Sequence, residues 1–380
     1  MNKMKMLYIH NQAKKVNNFS YTSMFAAKEL GIEFHIASNW SYENDDERHK
    51  DEEKYDIKIF QIDFIRKPYD VRNIKAYKQV CQLIKKEKYD VIHCNTPIGG
   101  VIGRLAGNKC GVKKIIYQAH GYHFFSNSSL FSWMIYYPIE RFLAKYTDCL
   151  IVINQEDYLL ANKKMRLKKG GRIEFVHGVG INSNPKYLLE NDIRDSIGVS
   201  KDDFVCISVG DLIKRKNFIT VIKAIAECKN KKIKLLICGE GSEQDKLERL
   251  VTKLDLQTQV VFLGYRNDID ILLDNSDCYV FSSIQEGLPR SVMEAMIASL
   301  PCVVSDIRGN IDLIEDGKGG FLHDCRDYHG FAQSINKLFK DKKMSEQMGM
   351  YNEHNIEKYK TEYVSIEMKR IYIDIIKSIG

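Results

Sequence analysis

Apolar residues occur along this chain in two series of short runs, separated by longer polar or helical segments. In the first half the runs are MLYIH (6–10), FHIAS (34–38), DVIHC (90–94), KIIYQAH (114–120) and CLIVIN (149–154). The second series starts with FVCISVG near residue 204 and continues with KLLICGEG, QVVFLGY, CYVFSS (278–283) and CVVSD (302–306). Alternation with helical patterns such as NIKAYKQVCQLIKKEK predicts two parallel sheets, each covered by helices. Glycine, asparagine and proline break the pattern in GVGINSNPKY (178–187), where we place the boundary between the two domains.

The length of 380 residues and the hydrophobic content of 44% suit two domains with separate cores. We assign residues 1–183 and a last helix at 365–380 to one domain, and residues 184–364 to the other. Ten cysteines without a C-x-x-C pair indicate reduced thiols rather than a disulfide framework or a zinc site. We see no signal core in MNKMKMLYIH and no apolar run of roughly 18 residues, so we expect a cytoplasmic protein.

The segment EGLPRSVME (286–294) lies between two predicted strands and contains the start of a helix. Pro289 suits the first helical turn, where the amide hydrogen that it lacks would have had no partner. The amides from Arg290 onward would then point out of the helix start, where the dipole favours an anion such as a diphosphate. Gly287 lets the backbone approach that anion closely. Glu286 and Glu294 could hold the two ends of a nucleotide-sugar, and a charged loop beside a solvated helix face is the alternative.

Together with the following EAMIASLPCVVSD, this E-x7-E motif resembles that of the retaining glycosyltransferase family four, as in bacterial capsular and exopolysaccharide enzymes. The resemblance covers nearly the whole chain. It implies the GT-B fold, in which two Rossmann-like, doubly wound parallel-sheet domains face each other and a C-terminal helix crosses back to the first. It also implies that Glu286 contacts the donor sugar during catalysis, that Glu294 holds the ribose hydroxyls, and that the amides between them hold the diphosphate.

A glycine turn followed by basic residues occurs in SVGDLIKRKN (208–217) and is a plausible cradle for a diphosphate. Lys216 matches the lysine with which the family neutralises the leaving diphosphate, which makes it a catalytic candidate. The arginine that the family commonly has directly after Gly210 is Asp211 here, so Arg215 is the candidate to replace it. A surface loop is the alternative for this segment.

Two further strand ends of the second half resemble donor-binding motifs of the family. ICGEGSEQDKLE contributes Gly239, and VVFLGY contributes Gly264 and Tyr265, whose backbone groups could contact a uracil base. The predicted donor-binding residues are Gly210, Arg215, Lys216, Gly239, Gly264, Tyr265, Glu286, Gly287, Leu288, Pro289, Arg290 and Glu294.

In the first half, QAHGYHFF (118–125) matches the histidine-glycine motif of the family, with His120 and Gly121. The match implies that His120 lies against the donor sugar and is catalytic, and a buried structural histidine is the alternative. His123 could form half of a metal site, but the sequence nearby supplies no third ligand. The loop HNQAKKVNNFSYTS (10–23) lacks the Gly-Gly pair frequent in the family, and Asn17 and Asn18 join His120 and Gly121 as acceptor-binding candidates.

Charge is divided unevenly between the halves of the chain. Residues 1–185 contain 29 Lys and Arg and 19 Asp and Glu, a net charge of +10, whereas the remainder has a net charge of −3. We expect the first half to meet an anionic membrane surface through LANKKMRLKKGGR (160–172) and the aromatic segment around Phe131 and Trp133, with a solvated surface as the alternative. No nucleic-acid-binding motif accompanies the lysines, so we expect no nucleic-acid partner.

The activity implied by the resemblance is retaining transfer of a hexosyl or N-acetylhexosaminyl group from a UDP-sugar, without a metal or other cofactor. The acceptor would be a polyprenyl-diphosphate-linked or growing glycan in cell-surface polysaccharide biosynthesis. A UDP-sugar epimerase of the same fold and a non-catalytic sugar-nucleotide binder are the alternatives. A dinucleotide-dependent oxidoreductase is disfavoured because no G-x-G-x-x-G turn follows the first strand.

Overall fold

The computed structural model describes residues 3–16, 18–41, 45–182 and 192–379. Contacts between residues divide the chain into two compact units. Unit 1 is Met1–Gly180 with Thr361–Gly380, and unit 2 is Ile181–Lys360. The assignment of acceptor binding to the first part of the chain and donor binding to the second stays a prediction.

Unit 1 is built on a parallel sheet of seven strands. The strands are β1 (Lys5–Gln12), β2 (Glu33–Asn39), β3 (Lys58–Gln61), β4 (Val91–Asn95), β5 (Lys114–Ala119), β6 (Cys149–Val152) and β7 (Arg172–Phe175). The helices that alternate with them are α1 (Asn18–Glu29), α2 (Asp45–Tyr55), α3 (Asn73–Glu87), α4 (Pro97–Lys109), α5 (Leu130–Ala144) and α6 (Gln155–Lys164). The spatial order β3-β2-β1-β4-β5-β6-β7 is that of a doubly wound Rossmann-like sheet.

Unit 2 repeats this arrangement with six parallel strands. The strands are β8 (Phe204–Val209), β9 (Ile233–Cys238), β10 (Val260–Gly264), β11 (Cys278–Phe281), β12 (Cys302–Ser305) and β13 (Gly320–His323). The helices are α7 (Asp192–Ser196), α8 (Phe218–Cys228), α9 (Gln244–Lys253), α10 (Ile269–Asp274), α11 (Arg290–Ile297), α12 (Asn310–Leu313), α13 (Tyr328–Lys340) and α14 (Lys342–Asn355), with short 3-10 helices at Lys214–Lys216 and Ile356–Tyr359. The order is β10-β9-β8-β11-β12-β13, so β8 and β11 are neighbours.

Both faces of the unit 2 sheet are covered, which explains why its strands are apolar almost throughout. One core cluster joins the sheet to α8, α9 and α13, and a second joins it to α10, α11 and α12. The fold-class prediction is confirmed, since both units are parallel α/β layers of the Rossmann type. Ligands of such sheets bind at the carboxyl ends of the strands, near the point where the strand order reverses. In unit 2 that point lies between β8 and β11.

The last helix, α15 (Thr361–Lys377), belongs to unit 1 and packs on α1. Tyr372 on its buried face is joined to His93 Nδ1 on β4 by a hydrogen bond of 2.7 Å. The sequence predicted a last helix at 365–380 within the first domain. In the structure this helix, α15, begins earlier, at Thr361, after α14 has ended at Asn355 and a 3-10 turn has followed. No helix within the described ranges is long and apolar enough to cross a membrane.

Every predicted strand is present, but β3, β7 and β13 were not predicted. All three are four residues long and lie at an edge of their sheet. An edge strand has only one neighbour and is less buried, so its sequence carries a weaker apolar signal. The segments KIFQ, RIEF and GFLH accordingly contain few fully buried residues.

The aromatic segment around Phe131 forms α5, and its exposure differs along the helix. Leu130, Phe131 and Met134 are 82%, 69% and 75% exposed. Trp133 instead packs against the core of unit 1, and its Nε1 donates to the carbonyl oxygen of Phe125 at 3.1 Å. Trp133 is therefore less available at the surface than Phe131, and membrane attachment through this segment stays a prediction.

Candidate active site

The three predicted glycine turns of unit 2 lie side by side at the carboxyl ends of β8, β9 and β10. The amide of Gly210 donates to the carbonyl oxygen of Cys238 at 2.9 Å, and the amide of Gly239 donates to that of Gly264 at 2.8 Å. Gly239 has a φ of +140°, and a Cβ added there would lie 2.0 Å from the Gly210 carbonyl oxygen. Only glycine allows this close approach of two backbones. The structure thus brings together three turns that the sequence places far apart.

Tyr265 follows directly after β10 and is 72% exposed. Its amide lies 3.4 Å from Glu240 Oε1, which ties the end of β10 to the turn after β9. Tyr265 is therefore at the edge of the glycine turns, where the sequence placed the contact with a base. That contact stays a prediction.

The basic pair and the first glutamate of the motif meet in one cluster. The 3-10 helix Lys214–Lys216 follows β8 and contacts the loop after β11, where the Ile284 amide donates to the Arg215 carbonyl oxygen at 2.8 Å. Lys216 Nζ lies 2.8 Å from Glu286 Oε1, and Arg215 Nη1 lies 2.6 Å from the same oxygen. Lys216 and Glu286 are mostly buried, at 13% and 11% side-chain exposure, so this ion pair is shielded from solvent. Two positive charges thus surround one carboxylate at the strand-order reversal.

Two residues that the sequence did not single out fix the backbone and side chain of Glu286. The Ser283 hydroxyl donates to Glu286 Oε1 at 2.7 Å. Arg308, which is 4% exposed, donates from Nε to the Glu286 carbonyl oxygen at 3.1 Å. Ser283 ends the run CYVFSS, and Arg308 follows CVVSD. The sequence therefore indicated only that both residues follow predicted strands, and not that they contact Glu286. Both hold the loop that leads into α11.

Helix α11 begins one residue later than predicted. Pro289 has an extended ψ of 119° and is the residue before the helix, whose first residue is Arg290. Pro289 gives no side-chain capping hydrogen bond, so the first-turn amides of α11 lack the partner that an N-cap side chain would supply. A Cβ at Gly309 would lie 2.6 Å from the Gly287 carbonyl oxygen, so the loop before α11 is packed tightly against the turn after β12.

Glu294 lies in the second turn of α11, as predicted. Its Oε1 accepts a hydrogen bond of 2.8 Å from Arg290 Nε, an i,i+4 pair along the helix. Burial raises the pKa of Glu294, and the nearby Arg290 guanidinium partly offsets this effect. A partly desolvated carboxylate gains more from new hydrogen-bond donors than an exposed one does. The ribose role stays a prediction.

His120 lies at the carboxyl end of β5 in unit 1. Its Nε2 is 3.0 Å from Asn95 Oδ1, and its ring is 4.8 Å from the ring of Phe19. Burial, with a smaller contribution from the neighbouring His10, lowers the pKa of His120 to about 4. The ring is therefore neutral near pH 7, and its Nε2 hydrogen bonds to the amide oxygen while Nδ1 is left as an acceptor.

The structure describes only some of the remaining acceptor-binding candidates of unit 1. Gly121 follows His120 with a φ of +116°, a conformation that favours glycine. Asn17 lies outside the described residues. Asn18 is the first residue of α1, and its side chain is outside the description as well. Acceptor binding by these residues stays a prediction.

Two family models match the chain, one for each half. The model for glycosyl transferases group 1 matches residues 190–355, and the model for glycosyl transferase 4-like proteins matches residues 5–154. EpsD of Bacillus subtilis is 35% identical over 91% of this chain and 90% of its own. The UDP-Gal:alpha-D-GlcNAc-diphosphoundecaprenol alpha-1,3-galactosyltransferase of Escherichia coli is 31% identical over 72% of each chain. The chain belongs to glycosyltransferase family four.

Solved structures agree with the fold of this family-four glycosyltransferase. HepE of Anabaena, crystallised in complex with UDP, superimposes with a TM-score of 0.77 at 21% identity over 99% of this chain and all of the other. Sucrose-phosphate synthase of Thermosynechococcus elongatus gives a TM-score of 0.79 at 17% identity over 99% and 100%. These likenesses show the GT-B fold. The relatives in sequence place this glycosyltransferase with those of bacterial polysaccharide biosynthesis.

Proposed function

We propose that this glycosyltransferase is a retaining enzyme that transfers a hexosyl or N-acetylhexosaminyl group from a UDP-sugar to a lipid-linked or growing glycan. The observation that supports this best is the cluster of Arg215 and Lys216 around Glu286, on the loop that leads into the uncapped start of α11. Cations and free amides at one place suit a diphosphate, and a carboxylate beside them suits a sugar that gains positive charge.

The names of related proteins support the choice of donor and acceptor. HepE has been crystallised with UDP-glucose, and the Escherichia coli relative is named for UDP-Gal and a diphosphoundecaprenol-linked acceptor. In this chain the amides at Gly264 and Tyr265 would contact the base, and Glu294 would accept hydrogen bonds from the ribose hydroxyls. The anomeric centre of the sugar would then lie near Glu286.

The proposed reaction is a front-face transfer without a protein nucleophile. The bond between the anomeric carbon and the UDP oxygen breaks, and its electron pair stays on the departing diphosphate. The acceptor oxygen forms its bond on the same face of the sugar, and its proton passes to the diphosphate oxygen. Lys216 and Arg215 stabilise the negative charge that grows on the leaving group, while Glu286 faces the positive charge on the sugar. Because these cations and α11 amides already offset the diphosphate charge, we propose that no metal ion is required.

His120 is proposed to hold a hydroxyl of the donor sugar. Its neutral ring, fixed through Nε2 by Asn95, can accept a hydrogen bond at Nδ1 without adding charge to the site. A protonated ring would repel the developing positive charge on the sugar. The lowered pKa therefore suits a positioning role near neutral pH.

Peripheral attachment to an anionic membrane forms the last part of the proposal. The exposed apolar residues Leu130, Phe131 and Met134 lie on α5. Trp133 is also on α5, and Lys164 Nζ of α6 lies 5.7 Å from the centre of its ring. Apolar side chains beside cations are the composition of a surface that rests on anionic lipid. Such a surface would bring the enzyme to a lipid-linked acceptor.

The test combines calorimetry with analysis of the product. UDP should bind more tightly than ADP or GDP, and UDP should be released from a UDP-sugar only when a glycan acceptor is supplied. An α-linked product from an α-configured donor, seen in the anomeric proton coupling, is expected for retention. Release of UDP without an acceptor, a β-linked product, or activity that chelators abolish and Mg²⁺ restores would each overturn the corresponding part of the proposal.

A further inference from the structure

A cavity of about 880 Å³ opens in unit 1 at the carboxyl ends of β1, β2 and β3. Five cationic side chains line it, and no acidic side chain is found among the described residues of its wall. The cations are Lys14, Lys15, Arg66, Lys67 and Arg72. They come from two loops that lie about 50 residues apart in the sequence and meet only because β1 and β3 both pair with β2. A concave surface with charge of one sign concentrates the opposite charge.

Most of this positive charge has no partner in the part of the chain that the structure describes. Arg72 is paired with Asp70, whose Oδ2 lies 2.6 Å from its Nη2. Besides Arg72, Lys67 is among the charges that lower the pKa of Asp70, and Lys14, Lys15 and Arg66 make no ion pair within the described ranges. By contrast Lys75, on the helix that follows, is joined to Asp63 at 2.6 Å. Cations therefore outnumber the carboxylates that pair with them at this cavity.

Side-chain amides fix the walls of the cavity. Asn73 accepts from the Ile65 amide at 3.0 Å and donates to the carbonyl oxygens of Ile65 and Lys67, both at 3.1 Å. Asn39 donates to the carbonyl oxygen of Phe64 at 2.8 Å. The loop that carries two of the cations is thus held in place before any ligand arrives. A wall that is already ordered loses less entropy on binding.

The wall after β1 is fixed in the same way. The amide of Asn11 lies 3.2 Å from Thr96 Oγ1, and Asn11 Oδ1 accepts from the Gly99 amide at 2.7 Å. Thr96 has a φ of +64°, which is unusual for a β-branched residue and indicates a backbone held by its surroundings. Both cationic loops therefore project from anchored strand ends.

The size and lining of the cavity indicate the class of ligand. A volume of about 880 Å³ is far larger than a single phosphate needs and falls within the range of roughly 300 to 1,000 Å³ that holds a small organic ligand. The exposed amide side chain of Gln12 can bind a hydroxyl group. Cations beside such an amide suit a sugar carrying a diphosphate.

We propose that this cavity binds the glycosyl diphosphate head group of the lipid-linked acceptor. The inference rests on the proposed function, since it names the acceptor class of that same enzyme. The diphosphate diester carries two negative charges, which Arg66 can engage through two parallel N–H donors and which Lys14, Lys15 and Lys67 can engage as point charges. The cavity is lined by residues of unit 1, and the donor cluster around Glu286 consists of residues of unit 2.

The first experiment measures binding of inorganic pyrophosphate to the full-length protein by calorimetry, with saturating UDP present to occupy the donor site. We expect Arg66→Gln/Lys67→Gln to weaken this binding about tenfold to a hundredfold, the usual loss when hydrogen bonds to a charged ligand are removed. Lys85→Gln/Lys86→Gln on α3 is the matched control, because it removes two exposed positive charges of the same unit outside the cavity. The control should bind pyrophosphate as the wild type does.

The outcomes separate this inference from the proposed function. Equal pyrophosphate affinity in the wild type and the Arg66→Gln/Lys67→Gln variant would overturn the cavity assignment, whatever UDP does. If the wild type fails to bind UDP, the proposed donor is wrong. The pyrophosphate affinities of the Arg66→Gln/Lys67→Gln variant and the Lys85→Gln/Lys86→Gln control can still be compared. Thermal unfolding should show that both variants remain folded, as expected for exposed side chains.

The second experiment distinguishes a lipid-linked diphosphate from a free one. One set of phosphatidylcholine vesicles contains a sugar linked through diphosphate to undecaprenol. The other set contains phosphatidylglycerol instead, in the amount that gives the same surface charge. We expect the diphosphate lipid to recruit the wild type more strongly, and the Arg66→Gln/Lys67→Gln variant to lose this difference. Equal recruitment by both vesicles, with pyrophosphate binding retained, would assign the cavity to a soluble diphosphate and overturn the lipid-linked acceptor.

Discussion

Replacing Lys216 by methionine tests the proposed mechanism most directly. Methionine keeps an unbranched apolar stem of similar length and removes the charged ammonium group with its hydrogen-bond donors. In the folded protein Lys216 Nζ lies 2.8 Å from Glu286 Oε1 and 4.9 Å from the centre of the Phe281 ring. Because Arg215 and Ser283 also contact Glu286 Oε1, the carboxylate would keep two of its three partners. We therefore expect the variant to fold.

The magnitude follows from the distance and the local polarity. Two unit charges about 4 Å apart interact by about 4 kcal/mol at the effective dielectric constant of roughly 20 that fits sites near a protein surface. Only the part of this energy that grows as the diphosphate departs lowers the barrier. We take that part as about 2 to 3 kcal/mol, which corresponds to a fall in turnover of about a hundredfold.

The assay measures UDP release at saturating donor and acceptor, together with UDP affinity by calorimetry. Lys214→Met is the matched control, because Lys214 is exposed and lies in the same 3-10 helix as Lys216. It removes the same charge two residues away from the position that contacts Glu286. We expect near-normal turnover in the control and a loss mainly in kcat in the Lys216 variant.

Ordinary turnover in a folded Lys216→Met protein would refute the role of Lys216 in stabilising the leaving group. An equal loss in both variants would also contradict it, since the effect would then be one of general charge. A rise in KM with kcat unchanged would show that Lys216 binds the donor without favouring the transition state.

Glu294→Ala should weaken UDP binding by about 1.5 to 3 kcal/mol, or tenfold to a hundredfold, and unchanged affinity in calorimetry would exclude the ribose contact. Gly239→Ala should lower the free energy of unfolding, measured by urea denaturation, by about 3 kcal/mol or more, because the added Cβ would lie 2.0 Å from a carbonyl oxygen. Gly198→Ala, at a φ of +74° in open space, should lower it by only about 1 to 2 kcal/mol. The free energy of unfolding should fall as the pH drops from about 6.5 towards 4, because the unfolded chain binds a proton at His120 that the folded chain, with a His120 pKa of about 4, excludes. The expected slope is at most about 1.4 kcal/mol per pH unit, and a His120→Gln variant with the same pH profile as the wild type would contradict this prediction. Cosedimentation with anionic vesicles should decrease as salt rises from about 0.05 to 0.5 M, and absence of binding at low salt would leave the basic half as a solvated surface.

Much of the candidate donor site could be predicted because its chemistry is local in the sequence. Glu286, Pro289 and Glu294 lie on one short loop and helix, so their spacing alone placed one carboxylate before the helix and one in its second turn. The contacts of Ser283 and Arg308 with Glu286 could not be predicted, because neither residue type nor spacing distinguishes them from other polar residues after a strand. The exact start of α11, one residue beyond Pro289, depended on a backbone angle that the sequence does not specify.

The two parallel sheets follow from local patterns in the chain, since strands buried on both faces must be apolar almost throughout and helices between them must be amphipathic. Which strand ends become neighbours depends on the folded arrangement of the whole sheet. Arg215 and Glu286 are 71 positions apart and meet because β8 and β11 pair at the strand-order reversal. Lys14 and Arg66 share a cavity for the same reason, as β1 and β3 flank β2. Pairing between distant strands depends on the free energy of the whole packed sheet, so no local pattern contains it.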